Sequence, residues 1–227
     1  MNEKKISVAI DGPSGAGKST VAKALAKQFR LIYVDTGAIY RTVGLAAQRA
    51  GVDSKDTEAV IALLPDIQID IRYDEEGTQR MCLNGEDVSE EIRTPRSSIY
   101  ASDVSAIPEV RAFLMDMQRG MALTHSVVMD GRDIGTVVLP NADVKIFLTA
   151  SAEERARRRW LELQQRGSTD SYEQVLRDIE YRDLQDSTRA AAPLRPAPDA
   201  VFIDSSRLSF DESVEAAAKL LRARLEA

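Results

Sequence analysis

The segment from Gly12 to Thr20 constrains this chain most, because it follows the pattern G-x-x-x-x-G-K-[ST]. Glycines at these positions let the backbone turn so tightly that successive N–H groups point inward and form a nest for anions. In such a loop the lysine, here Lys18, reaches the terminal phosphates of a nucleotide, and the hydroxyl, here Ser19, ligates Mg²⁺. The residues predicted to form this phosphate site are Gly12, Pro13, Ser14, Gly15, Ala16, Gly17, Lys18, Ser19 and Thr20.

The residues on either side supply the strand and the helix that such a loop requires. Residues 6–11 predict a short buried strand that runs into the loop. Residues 21–27 predict a helix that leaves it, because Val21 and Leu25 are apolar at helical spacing. A helix that begins near Lys18 would add its positive N-terminal end to the nest. A glycine-rich turn with an exposed lysine is the alternative, and these flanks argue against it.

The composition is that of a globular protein that holds an anionic ligand by local charge. The chain has 227 residues, of which 44% are hydrophobic and 29% charged, and its net charge is -6. This acidic balance argues against non-specific binding of nucleic acids. Cys82 is the only cysteine and His125 the only histidine, which excludes an intrachain disulfide, a Cys/His zinc site and a histidine-based triad. We expect Cys82 to be buried and His125 to lie on the surface.

Neither a secretory signal nor a transmembrane stretch is visible in the sequence. The first apolar run is short and is interrupted by Asp11. We therefore expect a cytoplasmic protein without a membrane partner. No repeat, heptad run or linker divides the chain, and no long apolar face is left unexplained. A single domain over residues 1–227, acting as a monomer, is the prediction.

Further strands and helices alternate along the rest of the chain. Buried strands are predicted at residues 31–35, 126–130, 144–148 and 200–204. In an open α/β sheet, ligands bind at the edge formed by the carboxyl ends of the strands. Thr36, Tyr40 and Arg41 follow the second strand at that edge, although Tyr40 and Arg41 also suit an ordinary helix surface.

Charged residues follow the third of these strands. Asp130 ends the strand, and a carboxylate at this place in phosphate-loop proteins organises Mg²⁺, usually through water. Arg132 and Asp133 lie just beyond it. A structural salt bridge is the alternative interpretation for this pair.

An antiparallel β insertion is predicted between the second and third buried strands. Residues 67–73 alternate between apolar and polar side chains, and residues 80–83 form another short apolar run. Asn84-Gly85 predicts a tight hairpin turn directly after them. Helices are predicted from Pro95 and from Pro108, since proline is favoured at the first helical position. This insertion would lie on the substrate side of the core.

A helix, a break and a second helix follow the fourth buried strand. Arg155, Arg158 and Arg159 share one face of the first helix. Residues 164–170 break it, and another helix begins at Ser171. This arrangement predicts a lid over bound phosphates, although a run of charges is more often a solvated face.

Several segments carry a resemblance to a known family. They are the loop at residues 10–20, the motif D-T-G-A-I-Y-R at residues 35–41, the motif D-G-R-D-I-G-T at residues 130–136, residues 145–148, and Arg182-Asp183 with Asp186 and Arg189. With these segments in this order, the chain resembles the bacterial cytidylate kinases (CMP kinases) from residue 6 to residue 225. The phosphate loop alone indicates only a superfamily, whereas the two longer motifs are far more specific.

The resemblance implies an α/β fold of the P-loop kinase type. Its core, at about residues 1–37, 124–150 and 190–227, would hold a five-stranded parallel sheet in the order 2-3-1-4-5. An antiparallel β-containing insert at about residues 38–123 would bind the nucleoside monophosphate (NMP), and a helical lid would span about residues 151–189. The implied reaction is the transfer of the γ-phosphoryl group of ATP, with Mg²⁺, to CMP or dCMP.

The resemblance also implies roles for individual residues. The residues that it implies contact cytosine and sugar are Thr36, Ser102, Arg132, Asp133 and Asp186, with Tyr40 as a stacking or packing neighbour. Anchors for the acceptor phosphate or the transferring group are Arg41, Arg111, Arg182 and Arg189, and partners of the ATP phosphates are Arg155 and Arg159. The residues expected to act in catalysis are Lys18, Arg132, Arg182 and Arg189, and those expected at Mg²⁺ are Ser19 and Asp130.

Three other functions remain open at this point. A P-loop GTPase would need a guanine-reading Asn-Lys-x-Asp motif, which the sequence lacks. A non-catalytic nucleotide-binding protein is disfavoured by the intact Lys18 and Ser19. A P-loop kinase for another small molecule is separated from the prediction only by the resemblance.

Overall fold

A parallel sheet of five strands forms the centre of this computed structural model, which describes residues 5–165 and 167–226. Residues 1–4 and 227 of the predicted core, and Arg166 of the predicted break in the lid, lie outside the described residues. In chain order the strands and helices are β1 (Ser7–Asp11), α1 (Lys18–Phe29), β2 (Ile32–Asp35), α2 (Thr36–Arg49), α3 (Thr57–Leu63), β3 (Ile69–Tyr73), β4 (Gln79–Leu83), β5 (Glu86–Asp87), α4 (Pro95–Ser105), α5 (Pro108–Thr124), β6 (Val127–Gly131), β7 (Val144–Thr149), α6 (Ala152–Gln165), α7 (Tyr172–Thr188), β8 (Val201–Asp204) and α8 (Phe210–Leu225).

The parallel strands lie in the order β2-β6-β1-β7-β8 within the described residues. Counted along the chain, this order is 2-3-1-4-5, so the predicted fold class is confirmed. The register aligns Asp35 with Asp130 and Asp11 with Gly131. Three carboxylates therefore lie at the same edge of the sheet, which is the edge where open α/β sheets bind their ligands.

Helices cover both faces of the sheet, because successive strand residues point to opposite faces. In β1, Val8 and Ile10 belong to a buried cluster with residues of α1 and α8, whereas Ala9 belongs to a cluster with residues of α2 and α5. Strands that are buried on both faces appear in the sequence as continuous apolar runs. This is why the sequence predicted β1, β2, β6 and β7 to within one residue. The edge strand β8 was also predicted, although it exposes Val201 and Phe202.

The predicted antiparallel insertion is present as a sheet in the order β3-β4-β5. Asn84 and Gly85 form the turn between β4 and β5 with φ angles of 50° and 87°. Positive φ at both central residues is what a two-residue hairpin of this type requires. Cys82 is buried in β4 and His125 is exposed after α5, as the sequence predicted.

The helices α6 and α7, at the position of the predicted lid, have a small apolar cluster of their own. It contains the buried side chains of Ala156, Val175 and Ile179 and is separate from the two clusters that flank the parallel sheet. Among the described helices, none combines the length and the apolar character needed to cross a bilayer.

Candidate active site

A cleft with a volume of about 530 Å³ lies at the carboxyl edge of the parallel sheet. The predicted site residues that line it are Ser14, Gly15, Gly17, Lys18, Ser19, Thr20, Thr36, Tyr40, Arg41, Ser102, Arg111, Asp130, Arg132, Asp133, Arg159, Arg182, Asp186 and Arg189. The predicted residues outside its lining are Gly12, Pro13, Ala16 and Arg155. The fold thus brings residues predicted for two different substrates into one space.

The phosphate loop takes a backbone shape that its glycines permit. Gly12, Gly15 and Gly17 have φ angles of 151°, 77° and 88°, which side chains rarely allow. A Cβ atom at Gly12 would lie 1.9 Å from the backbone oxygen of Leu148 in β7. The helix α1 begins at Lys18, directly after the loop. Its free N–H groups and positive end therefore adjoin the loop, as an anion site requires.

Lys18 is buried, and its Nζ donates a hydrogen bond to the backbone oxygen of Pro13 at 2.8 Å. Burial, with the Arg132 guanidinium as the second cause, lowers the pKa of Lys18 to about 7. A phosphate beside Nζ would raise this pKa again, because an opposite charge favours the charged form. The site therefore links the charge of Lys18 to the presence of an anion.

Asp130 is buried at the end of β6 and accepts two side-chain hydrogen bonds. Ser19 Oγ donates to Oδ2 at 2.8 Å, and Tyr33 Oη donates to Oδ1 at 2.9 Å. Burial raises the pKa of Asp130, and the neighbouring Asp35 carboxylate raises it further. The sequence did not single out Tyr33, which reaches Asp130 only because β2 and β6 pair in register.

Ser19 and Asp130 offer the hydroxyl and carboxylate oxygens that Mg²⁺ prefers. In the part of the chain that the structure describes, no group of three or more acidic, histidine or cysteine side chains could hold a metal ion. Mg²⁺ commonly keeps several waters and is bound through one or two protein carboxylates plus substrate phosphates. The residues present therefore fit a Mg²⁺ ion that arrives with a nucleotide.

Two arginines of the cleft are oriented by carboxylates. Arg41 Nη2 lies 2.8 Å from Asp35 Oδ2, and Arg132 Nε lies 2.6 Å from Asp186 Oδ2. Asp35 also accepts the backbone N–H of Ala38 at 2.8 Å and so caps α2, which gives Arg41 a rigid support. Because a guanidinium carries five N–H donors, each arginine keeps donors for an anionic ligand.

Asp133 is buried between Arg111 and Arg189. Arg111 Nη2 donates to Asp133 Oδ2, and Arg189 Nη2 lies 3.4 Å from Oδ1. Ser105, which the sequence did not indicate, accepts from Arg111 through its backbone oxygen at 3.2 Å and from Arg189 through Oγ at 3.0 Å. The Arg111 guanidinium carbon also lies 5.6 Å from the centre of the Tyr40 ring, a cation–π contact. Protein contacts alone therefore orient both arginines.

Other polar groups of the cleft are buried without hydrogen-bond partners. They include Arg182 Nε and Arg41 Nε. Desolvation, with the Arg132 guanidinium as the second cause, lowers the pKa of Arg182 to about 10. Buried polar groups in folded proteins nearly always have partners. Unpaired donors around one cleft are therefore suited to a polar, anionic ligand.

Arg155, which is predicted to contact the ATP phosphates, lies against the phosphate loop but outside the lining of the cleft. Its guanidinium is buried, donates to the backbone oxygen of Ser14 at 3.0 Å and pairs with Asp183 at 2.6 Å. Arg155 thus ties the phosphate loop to α6 and α7 without lining the cleft. On the same face of α6, Arg158 and Arg159 do line the cleft. Helical spacing shows which arginines share a face but not which of them packs inward.

Asp11 is a buried carboxylate that the sequence did not single out. Its Oδ1 accepts the backbone N–H of Ile134 and its Oδ2 accepts that of Gly135, both at 2.7 Å. Ile134 and Gly135 are the first two residues of a short π-helical turn, Ile134–Val138, which directly follows Asp133. Burial raises the pKa of Asp11 to about 6, although the two backbone hydrogen bonds act in the opposite direction.

We expect the wild-type protein to lose stability relative to Asp11→Asn as the pH rises. The pKa of Asp11 is about 6 in the folded chain against an ordinary value of 3.8, so the folded state binds the proton more tightly. This contribution to stability is present below about pH 4 and is lost as the pH passes about 6. Two pKa units correspond to about 3 kcal/mol. Unfolding of both proteins at about pH 4 and about pH 8 measures it, and parallel pH dependences would contradict it.

Comparison with known proteins extends over nearly the whole chain. The profile of the family described as "Cytidylate kinase" matches residues 8–223. A cytidylate kinase from Caldicellulosiruptor saccharolyticus is 51% identical over 212 residues, which cover 93% of each chain. A cytidylate kinase from Caldicellulosiruptor bescii is 53% identical over 212 residues, with 93% of each chain covered. The chain is also similar to the solved structure of an uncharacterized protein from Eubacterium ventriosum, with a TM-score of 0.51 and 12% identity. The alignment covers 96% of this chain and 99% of that chain. At this identity the similarity concerns the fold alone.

A phosphate loop at the edge of a parallel sheet, facing an arginine-lined cleft, defines a P-loop phosphotransferase that acts on small molecules. This class contains many families. The chain belongs to the cytidylate kinase family and is a nucleoside monophosphate kinase. This membership decides among the alternatives that the sequence left open.

Proposed function

We propose that this chain transfers the γ-phosphoryl group of ATP to CMP or dCMP, giving ADP and CDP or dCDP. The observation that carries the proposal is the meeting of the phosphate loop and seven arginines in one cleft, namely Arg41, Arg111, Arg132, Arg158, Arg159, Arg182 and Arg189. Two anionic substrates repel each other, so bringing them together requires concentrated positive charge. Guanidinium groups supply that charge and orient phosphates through paired hydrogen bonds. The names of the curated relatives support the choice of acceptor.

On the donor side, the N–H groups of residues 12–20 would hold the ATP phosphates, with Lys18 at the terminal phosphates and Arg159 as a further contact. Ser19 and Asp130 would hold Mg²⁺, directly or through water. When bound, Mg²⁺ neutralises charge that develops on the phosphate oxygens. The short contact between Ser19 Oγ and Asp130 supports this pairing of roles.

On the acceptor side, the nucleoside and its phosphate would be held by different groups. Residues proposed to contact base and sugar are Thr36, Ser102, Arg132, Asp133 and Asp186, with Tyr40 as a packing neighbour. Residues proposed to hold the phosphate or the transferring group are Arg41, Arg111, Arg182 and Arg189. A site that pairs the polar edge of a base strongly rejects a base lacking the matching groups. UMP should therefore be a poor acceptor.

The reaction does not require a strong general base, because the acceptor phosphate is already anionic at neutral pH. One of its oxygens forms a bond to the γ-phosphorus while the bond to the bridging oxygen breaks, and ADP leaves with that electron pair. Catalysis then comes from in-line alignment and from positive charge around the transferring group. We also propose that residues 151–189 act as a lid that excludes water and that residues 38–123 form the NMP-binding insert, both within one domain.

The experiment that tests the function is the release of ADP from Mg·ATP with CMP, dCMP, UMP, AMP, GMP or no acceptor. ADP formed only with CMP and dCMP is the expected result. Activity with a different acceptor would retain the kinase and overturn the assigned base specificity. Equal ADP release without any acceptor would indicate an ATPase and would contradict both the transfer reaction and the lid.

Arg189→Ala should lower kcat about 100-fold while changing the KM for CMP much less, because a charge that stabilises the transition state acts mainly on kcat. Arg189 contacts Asp133 and Ser105 at the cleft. Steady-state kinetics with CMP as the varied substrate measures both constants. Arg195→Ala, at an exposed arginine six residues further along the chain, is the matched control and should leave both unchanged. A pure rise in KM would make Arg189 an anchor for bound CMP.

We further infer that the enzyme acts as a cytoplasmic monomer on free nucleotides, without nucleic-acid or membrane partners. The net charge of -6 supports the absence of nucleic-acid binding. Because the proposed reaction consumes ATP, we place the enzyme in the cytoplasm. Light scattering coupled to size-exclusion chromatography tests the oligomeric state, and a mass near twice 25.0 kDa would overturn the monomer.

A further inference from the structure

Asp11 connects two parts of the active site that serve different substrates. It is the last residue of β1, and Gly12, the first residue of the phosphate loop, follows it directly. Its carboxylate reaches the segment that follows the neighbouring strand β6 and accepts hydrogen bonds from the backbone N–H groups of Ile134 and Gly135 at 2.7 Å each. Asp11 is 3% exposed, so water has little access to these hydrogen bonds.

The residues just before those N–H groups are the ones that face the cleft. Arg132 and Asp133 line it, and Asp133 in turn holds Arg111 and Arg189. The backbone that carries Arg132 and Asp133 leaves β6 at Gly131, which pairs in register with Asp11. Two hydrogen bonds that this backbone donates to the Asp11 carboxylate then fix the position at which it turns.

There is also little free space beside Gly135, where its N–H group meets the Asp11 carboxylate. A Cβ atom at Gly135 would lie 3.3 Å from Asp11 Oδ2 and 3.2 Å from Lys145 Cδ. A close approach of backbone to a carboxylate favours glycine at such a position. A side chain at position 135 would therefore press against Asp11 and Lys145.

We propose that Asp11 is a positioning residue, which sets the distance between the ATP-binding loop and the acceptor-binding segment 132–133 through its contacts with Ile134 and Gly135. This inference rests on the proposed function, because it assigns Arg132 and Asp133 to the acceptor. Phosphoryl transfer requires the reacting atoms to be aligned within a fraction of an ångström, and a displacement of about 1 Å costs about 100-fold in rate. A carboxylate that accepts from both N–H groups is the side chain suited to hold this alignment.

Asp11→Asn tests the proposal while keeping the shape of the side chain. The amide NH₂ would face a backbone N–H, so one hydrogen bond is lost and two donors oppose each other. We expect kcat to fall about 10-fold and the KM for CMP to rise about 10-fold, with the KM for ATP changed less than about 2-fold. Thermal unfolding at neutral pH should show no loss of stability, because a buried charge has been removed.

Two further variants keep this result interpretable. Asp143→Asn is the matched control, because Asp143 accepts the backbone N–H of Ser7 at 3.0 Å at the opposite end of β1; its kinetic constants should equal those of the wild type. Gly135→Ala crowds the same contact while leaving the charge of Asp11 in place, and should give the same kinetic pattern to a smaller degree. If Asp11→Asn does not fold, Gly135→Ala tests the positioning role in its place.

The wild-type enzyme is assayed first, so that failure of the function and failure of this inference are separate results. If the wild type phosphorylates a different acceptor, that acceptor replaces CMP in the comparison. Unchanged kinetic constants in Asp11→Asn, or equal changes for ATP and acceptor, would overturn the positioning role. A lower melting temperature with normal kinetics would show a structural role alone.

Discussion

Lys18→Ala is expected to lower kcat about 1,000-fold while the protein stays folded. The buried ammonium lies in the phosphate loop at the start of α1 and lines the cleft. Removing one preorganised charge from a dry site commonly costs 100-fold to 1,000-fold in rate, and this charge would act on the transferring group itself. Burial already lowers the pKa of Lys18 to about 7, so removing the ammonium also removes an unfavourable buried charge.

The measurement is kcat with saturating Mg·ATP and CMP, together with thermal unfolding to establish that the variant is folded. Lys27→Ala provides the control, because Lys27 lies in the last turn of the same helix and is exposed. Its rate should equal that of the wild type. A near-normal rate in Lys18→Ala would contradict the role of the phosphate loop in the mechanism.

Gly12→Ala is expected to destabilise the protein by more than about 3 kcal/mol, because a side chain there has no space. The added Cβ would lie 1.9 Å from the backbone oxygen of Leu148. Leu148 belongs to β7, which pairs with a strand on each side, so its backbone cannot shift without disturbing the sheet. For a chain of this size the melting temperature should fall by roughly 10 °C, as thermal unfolding would show.

Gly51→Ala separates steric overlap from backbone strain. Gly51 has a φ angle of 70°, and no atom lies within 4 Å of the position that its Cβ would take. This variant should lose only about 1 kcal/mol, from the left-handed conformation alone. Equal stability losses at Gly12 and Gly51 would refute the steric argument.

The features that could be predicted from the sequence depend on neighbours along the chain. The conformations of the phosphate loop and of the Asn84-Gly85 turn follow from the φ angles that a few residues permit. The core strands follow from apolar runs. The strand order and most residues of the cleft came from the resemblance, since periodicity alone does not order strands in a sheet.

The partners of the charged side chains could not be predicted in the same way. Tyr33 reaches Asp130 because two strands pair in register, and Asp11 meets Ile134 although 123 residues separate them. Ser105 was missed because an ordinary serine at the end of a helix carries no distinguishing pattern. The contact of Arg155 with Ser14 was not predicted, because helical spacing does not show the direction in which α6 packs.

The sequence by itself determined the phosphate loop, the alternation of buried strands with helices, the β insertion and the family. These depend on local backbone preferences and on the burial of apolar runs, which act over a few residues. Only the tertiary structure decided which acid holds which arginine and which groups are left unpaired in the cleft. An ion pair or a hydrogen bond depends on ångström distances between elements far apart in the chain, and those distances exist only after the core has packed.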